Sequence, residues 1–404
     1  MGVVAAVGAG HRLSDDARPL RVARAPGRIN LIGEHIDYCE LPVLPMAIDR
    51  EVRVAFRAAS SSRCGFTNAD PAFGERAFDL ADLGEAATDG DWGGYLMAVA
   101  RELVECHGVA VGIEAVVSSD LPVAAGLSSS SALVIAAGLA LMDANGADLP
   151  RPKLAAAMAA AERRTGTRGG GMDQAVSLMA EEGHAALIGF APLTMQPVAL
   201  PVGWRFLVAD SLVAAEKSGA AQAAYNSGPT LAREALVAIG RALGASPEEE
   251  LTYGGLISEY GVSELLDEAR SADLDDAHLG RFRHVITESD RVRQALEAMK
   301  GSDLEAFGSA MNASHVSLRD DCGVSCAELD EIVGIAHDAG ASGARLTGAG
   351  FGGCTIALCS EESAPSVFSA LSDRFYAPRG ALANLDDRLF IAHPGRRASV
   401  ESTS

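Results

Sequence analysis

No apolar run in this 404-residue chain reaches the ~18 residues that a membrane-spanning helix needs. Met1–Gly10 is small and uncharged and lacks the positive n-region of a secretory signal. Positive charge is also short. Against 54 Asp and Glu stand only 33 Lys and Arg, a net charge of −21 that argues against nucleic acids and anionic membranes as partners. The nine His are scattered, with no HExxH, and Cys322–Cys326 is spaced CxxxC rather than CxxC, so a dedicated transition-metal site is not expected. The seven Cys (39, 64, 106, 322, 326, 354 and 359) read as reduced, mostly structural thiols of a cytoplasmic protein. Internal repeats, low-complexity linkers and the GxxxxGK[ST] phosphate loop are absent too. What remains is length for two domains or one large one, and 48% hydrophobic residues with mean hydropathy +0.14 to build a large core.

Within that apolar chain one stretch concentrates ionisable groups. Arg24–Asp49 sets Arg28, Glu34, His35 and Asp37 among Ile29, Leu31, Ile32 and Ile36. A surface loop has no need of so many apolar partners, and a core strand carries four ionisable groups only to serve a ligand or one another. Two readings stay open: the half-buried polar floor of a pocket, or an ion-paired strand and turn.

Two further segments carry chemistry. Ser119–Ser131, SDLPVAAGLSSSS, lies between a strand-like Gly112–Ser118 and an Ala-rich apolar helix over Ala132–Asn145. Strand, Gly/Ser loop and helix in that order point free backbone N–H groups at a phosphate, and the serine hydroxyls can add hydrogen bonds or bind Mg²⁺. The same serines can equally be N-caps. Thr165–Gln174, TGTRGGGMDQ, is a glycine run delivering one carboxylate, Asp173, ahead of a helix over Ala175–Ala180. Three glycines imply close backbone approach to something, or a plain loop with an Asp cap. Gly343–Leu358, GARLTGAGFGGCTIAL, adds a glycine-rich loop before a strand over Cys354–Leu358. Together the two loops and the glycine-delivered Asp suggest phosphoryl transfer. An acidic chain must then neutralise nucleotide phosphates locally, with Mg²⁺, backbone N–H groups or a few placed cations.

Elsewhere the pattern predicts strands over Arg21–Ala25, Val43–Phe56, Ala185–Phe190 and Trp204–Asp210, with surface structure over 57–90. Helices are expected over Trp92–His107, Arg151–Arg164, Leu304–His315 and Glu328–Ala339. Glu216–Leu243 and Ser263–Ala298 read as charge-rich helices with solvated faces. The Pro-containing connector Pro192–Pro201 places a domain boundary near 195–203, taken as 1–198 and 199–404.

GRINLIGEHIDYCELPVLP, LPVAAGLSSSSA and LTGAGFGGCTIAL resemble, in order and over nearly the whole chain, the three motifs of the GHMP small-molecule kinases in their galactokinase branch. HIDYC, TRGGGMDQ and SSSSA are closer to its N-acetylgalactosamine kinase subgroup. The resemblance implies a two-domain α+β fold, mixed sheets with helices packed on one side and the active site between domains. It implies an enzyme that phosphorylates a galactose-configured sugar at C1, with ATP and Mg²⁺. In the roles carried over, Asp173 takes the proton of the anomeric hydroxyl, and Arg28 stabilises developing charge and keeps Asp173 ionised. Glu34, His35 and Asp37 bind sugar hydroxyls, with Gly171 near the ring and Tyr225 packing beside it. The segment Gly126, Leu127, Ser128, Ser129, Ser130 and Ser131 cradles the nucleotide, Ser130 and Glu162 hold Mg²⁺, and Gly348, Gly350 and Gly352 of the third motif support the phosphate loop near the sugar. The expected partners are the sugar and ATP, on a monomer or weak homo-oligomer.

The chemistry agrees. A free Asp, with a pKa of ~3.9, is a weak base that helps only where positioning and charge stabilisation do most of the work, as in phosphoryl transfer. Four positions depart from the family's pattern. Ala124 and Glu40 stand where glycine is usual, and Gly228 stands where Arg often follows Tyr225 and Asn226. Arg168 borders the catalytic loop, where it meets either an anionic group or solvent; Glu40 likewise faces the pocket or solvent. Two other activities compete: a sugar- and ATP-sensing regulator on the same scaffold, and a kinase of a non-sugar alcohol such as mevalonate. The intact serine run and Asp173 disfavour the first, and Glu34, His35 and Asp37 together disfavour the second.

Overall fold

A computed structural model describes residues 18–84, 91–215, 219–246 and 250–403. Met1–Gly10, part of the 57–90 segment and the start of the Glu216–Leu243 segment therefore lie outside or partly outside the described residues.

The strands are β1 (Arg21–Ile32), β2 (Leu44–Ala58), β3 (Arg63–Asn68), β4 (Arg76–Asp79), β5 (Ile113–Ser119), β6 (His184–Phe190), β7 (Leu193–Ala199), β8 (Trp204–Asp210), β9 (Gly343–Leu346), β10 (Cys354–Ser360), β11 (Leu389–Ala392) and β12 (Ser399–Ser402). The α-helices are α1 (Trp92–His107), α2 (Ser129–Ala144), α3 (Arg151–Arg163), α4 (Met172–Met179), α5 (Gly219–Ala242), α6 (Tyr253–Ser271), α7 (Asp276–Gly301), α8 (Leu304–Asp320), α9 (Ala327–Asp338) and α10 (Ala364–Leu371). Six of the described strands form one mixed sheet in the order β12-β1-β2-β5-β3-β4. Four others form an antiparallel sheet, β11-β8-β10-β9, and β6 pairs with β7.

The first strand shows why the ionisable stretch sits where it does. β1 does not end at Ala25 as its opening residues suggest; it runs on through Ile32, with every residue from Ala25 buried. On one edge it pairs with β2 and, at its start, with β12 on the other, so the last residues of the chain return to the first sheet. A register shift between Pro26 and Arg28 and another between Asn30 and Ile32 leave Gly27 and Leu31 out of the pairing on either side of the paired stretch Arg28–Asn30.

Four other expectations change. The 57–90 segment carries β3 and β4 and buries Cys64, Phe66 and Leu80, because its alternation is diluted by glycine and turns rather than lost. The connector Pro192–Pro201 contains β7, whose single proline, Pro197, stands where a two-stranded ribbon tolerates it. Ser263–Ala298 divides into the end of α6 and most of α7, and α7 is not merely a solvated face: Arg281, His284 and Glu288 are buried. Finally, α2 begins at Ser129 and α4 at Met172, each three residues earlier than apolar content alone suggests. Their first turns are therefore polar and carry the chemistry.

α2 is apolar all round and is buried from Ser131 to Met142, in contact with β1, β2, α1, α3 and α4. That rigid packing fixes its N-terminus against the sheet. No helix among the described residues is long and apolar enough to cross a membrane. All seven cysteines are free thiols.

Candidate active site

Two cavities meet where the ends of β1, α2 and α4 converge with the loop between β9 and β10. The first is polar. Arg28, Glu34, His35, Asp37, Glu162, Gly171, Asp173, Tyr225 and Gly348 all line it. Residues as far apart in sequence as Arg28 and Gly348 thus meet in one site.

At its centre Arg28 Nε donates to Asp173 Oδ1 at 2.8 Å, and Arg28 Nη1 donates to the carbonyl of Gly126 at 2.6 Å. The Arg28 side chain is 5% exposed and that of Asp173 17%. Asp173 is the second residue of α4, so the free amides of the helix start favour its negative charge. The glycines ahead of it have a steric reason. A Cβ on Gly170 would stand 2.4 Å from the Asp37 carbonyl carbon, and the Gly170 amide donates to Asp37 Oδ2 at 3.0 Å.

The carboxylates are held differently. Asp37 also accepts from the Tyr38 amide at 2.9 Å, and burial, with Asp173 and Glu34 nearby, raises its carboxyl to about 6. Glu34 accepts from Arg345 Nη2 at 3.1 Å and from the Gly348 amide at 3.0 Å, and burial still raises its pKa. Behind it, the Gly33 and Glu34 amides donate to Glu288 Oε1 at 2.9 and 3.2 Å, and His284 Nε2 bonds the Glu34 carbonyl at 2.9 Å. His35 adopts a left-handed backbone (φ 59°), uncommon outside glycine, and its ring lies 5.6 Å from that of Tyr225. Burial, helped by Arg281, holds its pKa well below the usual value, so it is neutral.

Glu162 reaches the site from α3. Its carboxylate accepts from Ser130 Oγ at 2.9 Å, Ser131 Oγ at 2.6 Å and the side-chain amide of Gln174. Ser131 Oγ also lies 3.4 Å from Asp173 Oδ2. The adjacent Ser130 hydroxyl and Glu162 carboxylate are hard oxygen donors of the kind Mg²⁺ takes, and so few protein ligands suit an ion that completes its shell with water and phosphate.

The second cavity is larger, about 660 Å³. Gly126, Ser128, Ser129 and Ser130 line one end, and Phe73, Trp92, Tyr95, Val117 and Leu133 the rest. Ser128 is buried, and its hydroxyl has no partner among the described residues. Leu127 turns its side chain into the core, and only its backbone serves the loop, its carbonyl accepting from the Arg28 amide at 3.2 Å. Ser131 lines neither cavity and works between Glu162 and Asp173.

The third motif braces this junction. A Cβ on Gly348 would meet the Gly126 carbonyl at 2.6 Å, so the two loops pack backbone on backbone, and Asn30 N donates to Thr347 Oγ1 at 2.9 Å. Ala349 lines both cavities, while Gly350 and Gly352 pack outside them, against Val324 and Val213.

Of the departures, Glu40 points to solvent from a left-handed position (φ 61°), and Arg168 is exposed outside both cavities. Arg163 lines the polar cavity instead. Sequence reasoning missed Arg345, Glu288, His284 and Arg281. Arg345 alone left a signal, a cation in the otherwise apolar strand β9.

Comparison with known proteins agrees with this geometry. Residues 12–58 match the galactokinase galactose-binding signature, 94–181 the N-terminal domain of GHMP kinases and 295–377 their C-terminal domain. The chain is 36% identical to a galactokinase of Chloroflexus aurantiacus over 88% of each chain, and 30% identical to that of Saccharomyces cerevisiae over 94% of this chain and 91% of that one. Among solved structures, Lactococcus lactis galactokinase complexed with galactose superposes with TM-score 0.81 at 26% identity, covering 95% of this chain and 96% of that one. A mevalonate kinase at 17% identity and TM-score 0.61 shares the fold.

Proposed function

Because the chain belongs to the galactokinase family of the GHMP kinases, we propose that it is an ATP-dependent sugar kinase that phosphorylates the C1 hydroxyl of galactose or a galactose-configured sugar such as N-acetylgalactosamine. The observation that carries this reading is the Arg28–Asp173 pair, set where a polar cavity meets a nucleotide-sized one.

The sugar occupies the polar cavity. Asp37, Glu34 and His35 face its hydroxyls, Tyr225 packs beside the ring and Gly171 lets the loop approach. Convergent buried polar groups of this kind reject an epimer, which leaves them unpaired. Support for a bulkier substituent comes from the loop wall. Gly169 and Gly171 carry no side chain there, and buried Thr167 brings a hydroxyl with no partner among the described residues.

ATP occupies the larger cavity. Its base lies against Trp92 and Tyr95, and its phosphates against the backbone of Gly126–Ser130 at the start of α2. Ser130 and Glu162 would hold Mg²⁺, which when bound supplies charge neutralisation to the phosphates. Asp173 accepts the C1 hydroxyl proton as that oxygen attacks the γ-phosphorus and the bond from phosphorus to the β,γ-bridging oxygen breaks to release ADP, and Arg28, fixed also by the Gly126 carbonyl, steadies the negative charge. Gly348 keeps the third motif close enough to brace the phosphate loop, while Gly350 and Gly352 fit the rest of the motif against Val324 and Val213.

We further assign residues 1–198 and 199–404 as the two domains, with β12 crossing back, in a cytoplasmic monomer or weak homo-oligomer. ADP release with Mg·ATP over a panel of galactose, N-acetylgalactosamine, galacturonate, arabinose and glucose tests the function. Turnover of galactose or N-acetylgalactosamine, silenced by about 10²–10⁴-fold in Asp173→Asn, is expected. Binding of both ligands without turnover would make the protein a sensor instead.

A further inference from the structure

Arg281 is a cation whose burial the chemistry above does not use. It is 4% exposed on α7, its Nε has no partner, and among the described residues no carboxylate lies in ion-pair range. A guanidinium sequestered in this way is costly unless its position is worth more than its hydration. Its one hydrogen bond among the described residues runs to the site: Nη1 donates to Tyr38 Oη at 3.2 Å. Tyr38 Oη lies 3.4 Å from His35 Nδ1, and His35 Nε2 lies 3.1 Å from the Ala349 carbonyl.

The ends of this chain fix its polarity. A guanidinium only donates, so the Tyr38 oxygen accepts and its proton goes to His35 Nδ1. A carbonyl only accepts, so His35 Nε2 carries the ring proton. We propose that Arg281 is a positioning residue that, through Tyr38, holds His35 in the Nε2–H tautomer, so that its one ring proton, bonded to the Ala349 carbonyl, is shared with the sugar oxygen entering beside it and the ring never offers that oxygen an acceptor. His35 and Ala349 both line the polar cavity. The other groups around the ring are Tyr225, His284 and Arg345, none of which reaches Nδ1.

Gly228 makes room for the arrangement. A Cβ there would lie 3.1 Å from Tyr38 Oη and 3.5 Å from Arg281 Cζ, so a long side chain at 228 and the guanidinium of Arg281 compete for one space.

The kinetic half of the test rests on the sugar-kinase reading; the spectroscopic half does not. In protein labelled with ¹⁵N-histidine, His35 (assigned with His35→Gln) should show the pure Nε2–H pattern from about pH 6 to 8. In Arg281→Met and Tyr38→Phe it should become a mixture of tautomers. The same variants should raise KM for the sugar about tenfold, with KM for ATP and kcat nearly unchanged. Arg281→Lys, which keeps a donor-only cation, should restore most of both. An unchanged tautomer in a folded Arg281→Met or Tyr38→Phe protein would overturn the proposal, as would KM values for sugar and ATP that rise together. Should the wild-type protein turn over no sugar, the kinase reading falls while the tautomer measurement still decides this one.

Discussion

The two cavities are opposites in construction. Around the polar one, nearly every functional side chain is held by a partner far away in sequence. Glu34 is tied to Arg345, 311 residues on, and the turn that carries it to Glu288, 254 residues from Glu34. The larger cavity draws mostly on residues 52–133, and Asp70 alone among its lining residues is charged. The difference suits the occupants proposed for each. Polyol epimers differ only in where a hydroxyl points, so donors and acceptors need rigid supports. A base and phosphates need a flat apolar slot and unspent backbone N–H groups, which one loop and one helix start supply.

The comparison is broken most directly by removing a long-range support. Arg345 is fully buried and, among the described residues, hydrogen-bonds the Asn30 carbonyl, at 2.6 Å, and Glu34. Arg345→Met leaves the Glu34 carboxylate buried without its cation, so unfolding free energy should fall by about 3–5 kcal/mol in denaturant titrations. Part of that loss should return in the double variant with Glu34→Gln, because the orphaned charge is then gone. A loss below about 1 kcal/mol would mean that the polar cavity does not depend on its distant partners.

This dependence also sets what the sequence could tell. Motif residues such as Gly126–Ser131 and Gly169–Asp173 are legible because contiguous residues do their work: a loop and the helix start that follows it. Glu288, His284 and Arg281 sit in a helix whose 26 residues are largely charged or polar, so nothing local separates the three that turn inward. β1 was legible in outline, but the irregularities on either side of Arg28–Asn30 arise from register shifts against β2, which only pairing reveals. The α+β architecture with its GHMP kinase domains was legible from three motifs in order; the returning strand β12 was not.

Asp37 gives a finer cut within the polar cavity. Its carboxyl, at about 6, holds a proton in the folded state that the unfolded chain, near 3.8, has already lost. The folded state therefore binds more protons between about pH 4 and 6, and this group's contribution to stability declines as pH rises through that window. Ionisation readies Asp37 to accept from a sugar hydroxyl, so kcat/KM for the sugar should rise with pH around 6. In Asp37→Asn that inflection should vanish, with a further loss of about 10–100-fold at pH 7.5. An unchanged inflection would move the titration to another group.

On the other side, Trp92→Leu should raise KM for ATP about tenfold and leave KM for the sugar alone, since it trims an apolar wall with no link to the carboxylates. Equal effects on both substrates would mean the cavities are coupled more tightly than their construction implies.

The smallest effect tests the economy of the nucleotide side. Ala124 holds a left-handed backbone (φ 54°) at the cavity's edge, its carbonyl accepting from the Ala215 amide at 2.8 Å. A non-glycine residue there costs about 1–2 kcal/mol, and glycine would relieve it. Glycine also loosens the unfolded chain, at about 0.4–1 kcal/mol. The two terms nearly offset, so Ala124→Gly should stabilise by under about 1 kcal/mol, a small rise in the melting temperature, with KM for ATP changed less than twofold. A clear fall in stability would show that the alanine methyl packs usefully in its strained position. The difference between the cavities would then narrow, because the nucleotide loop too would depend on a particular side chain.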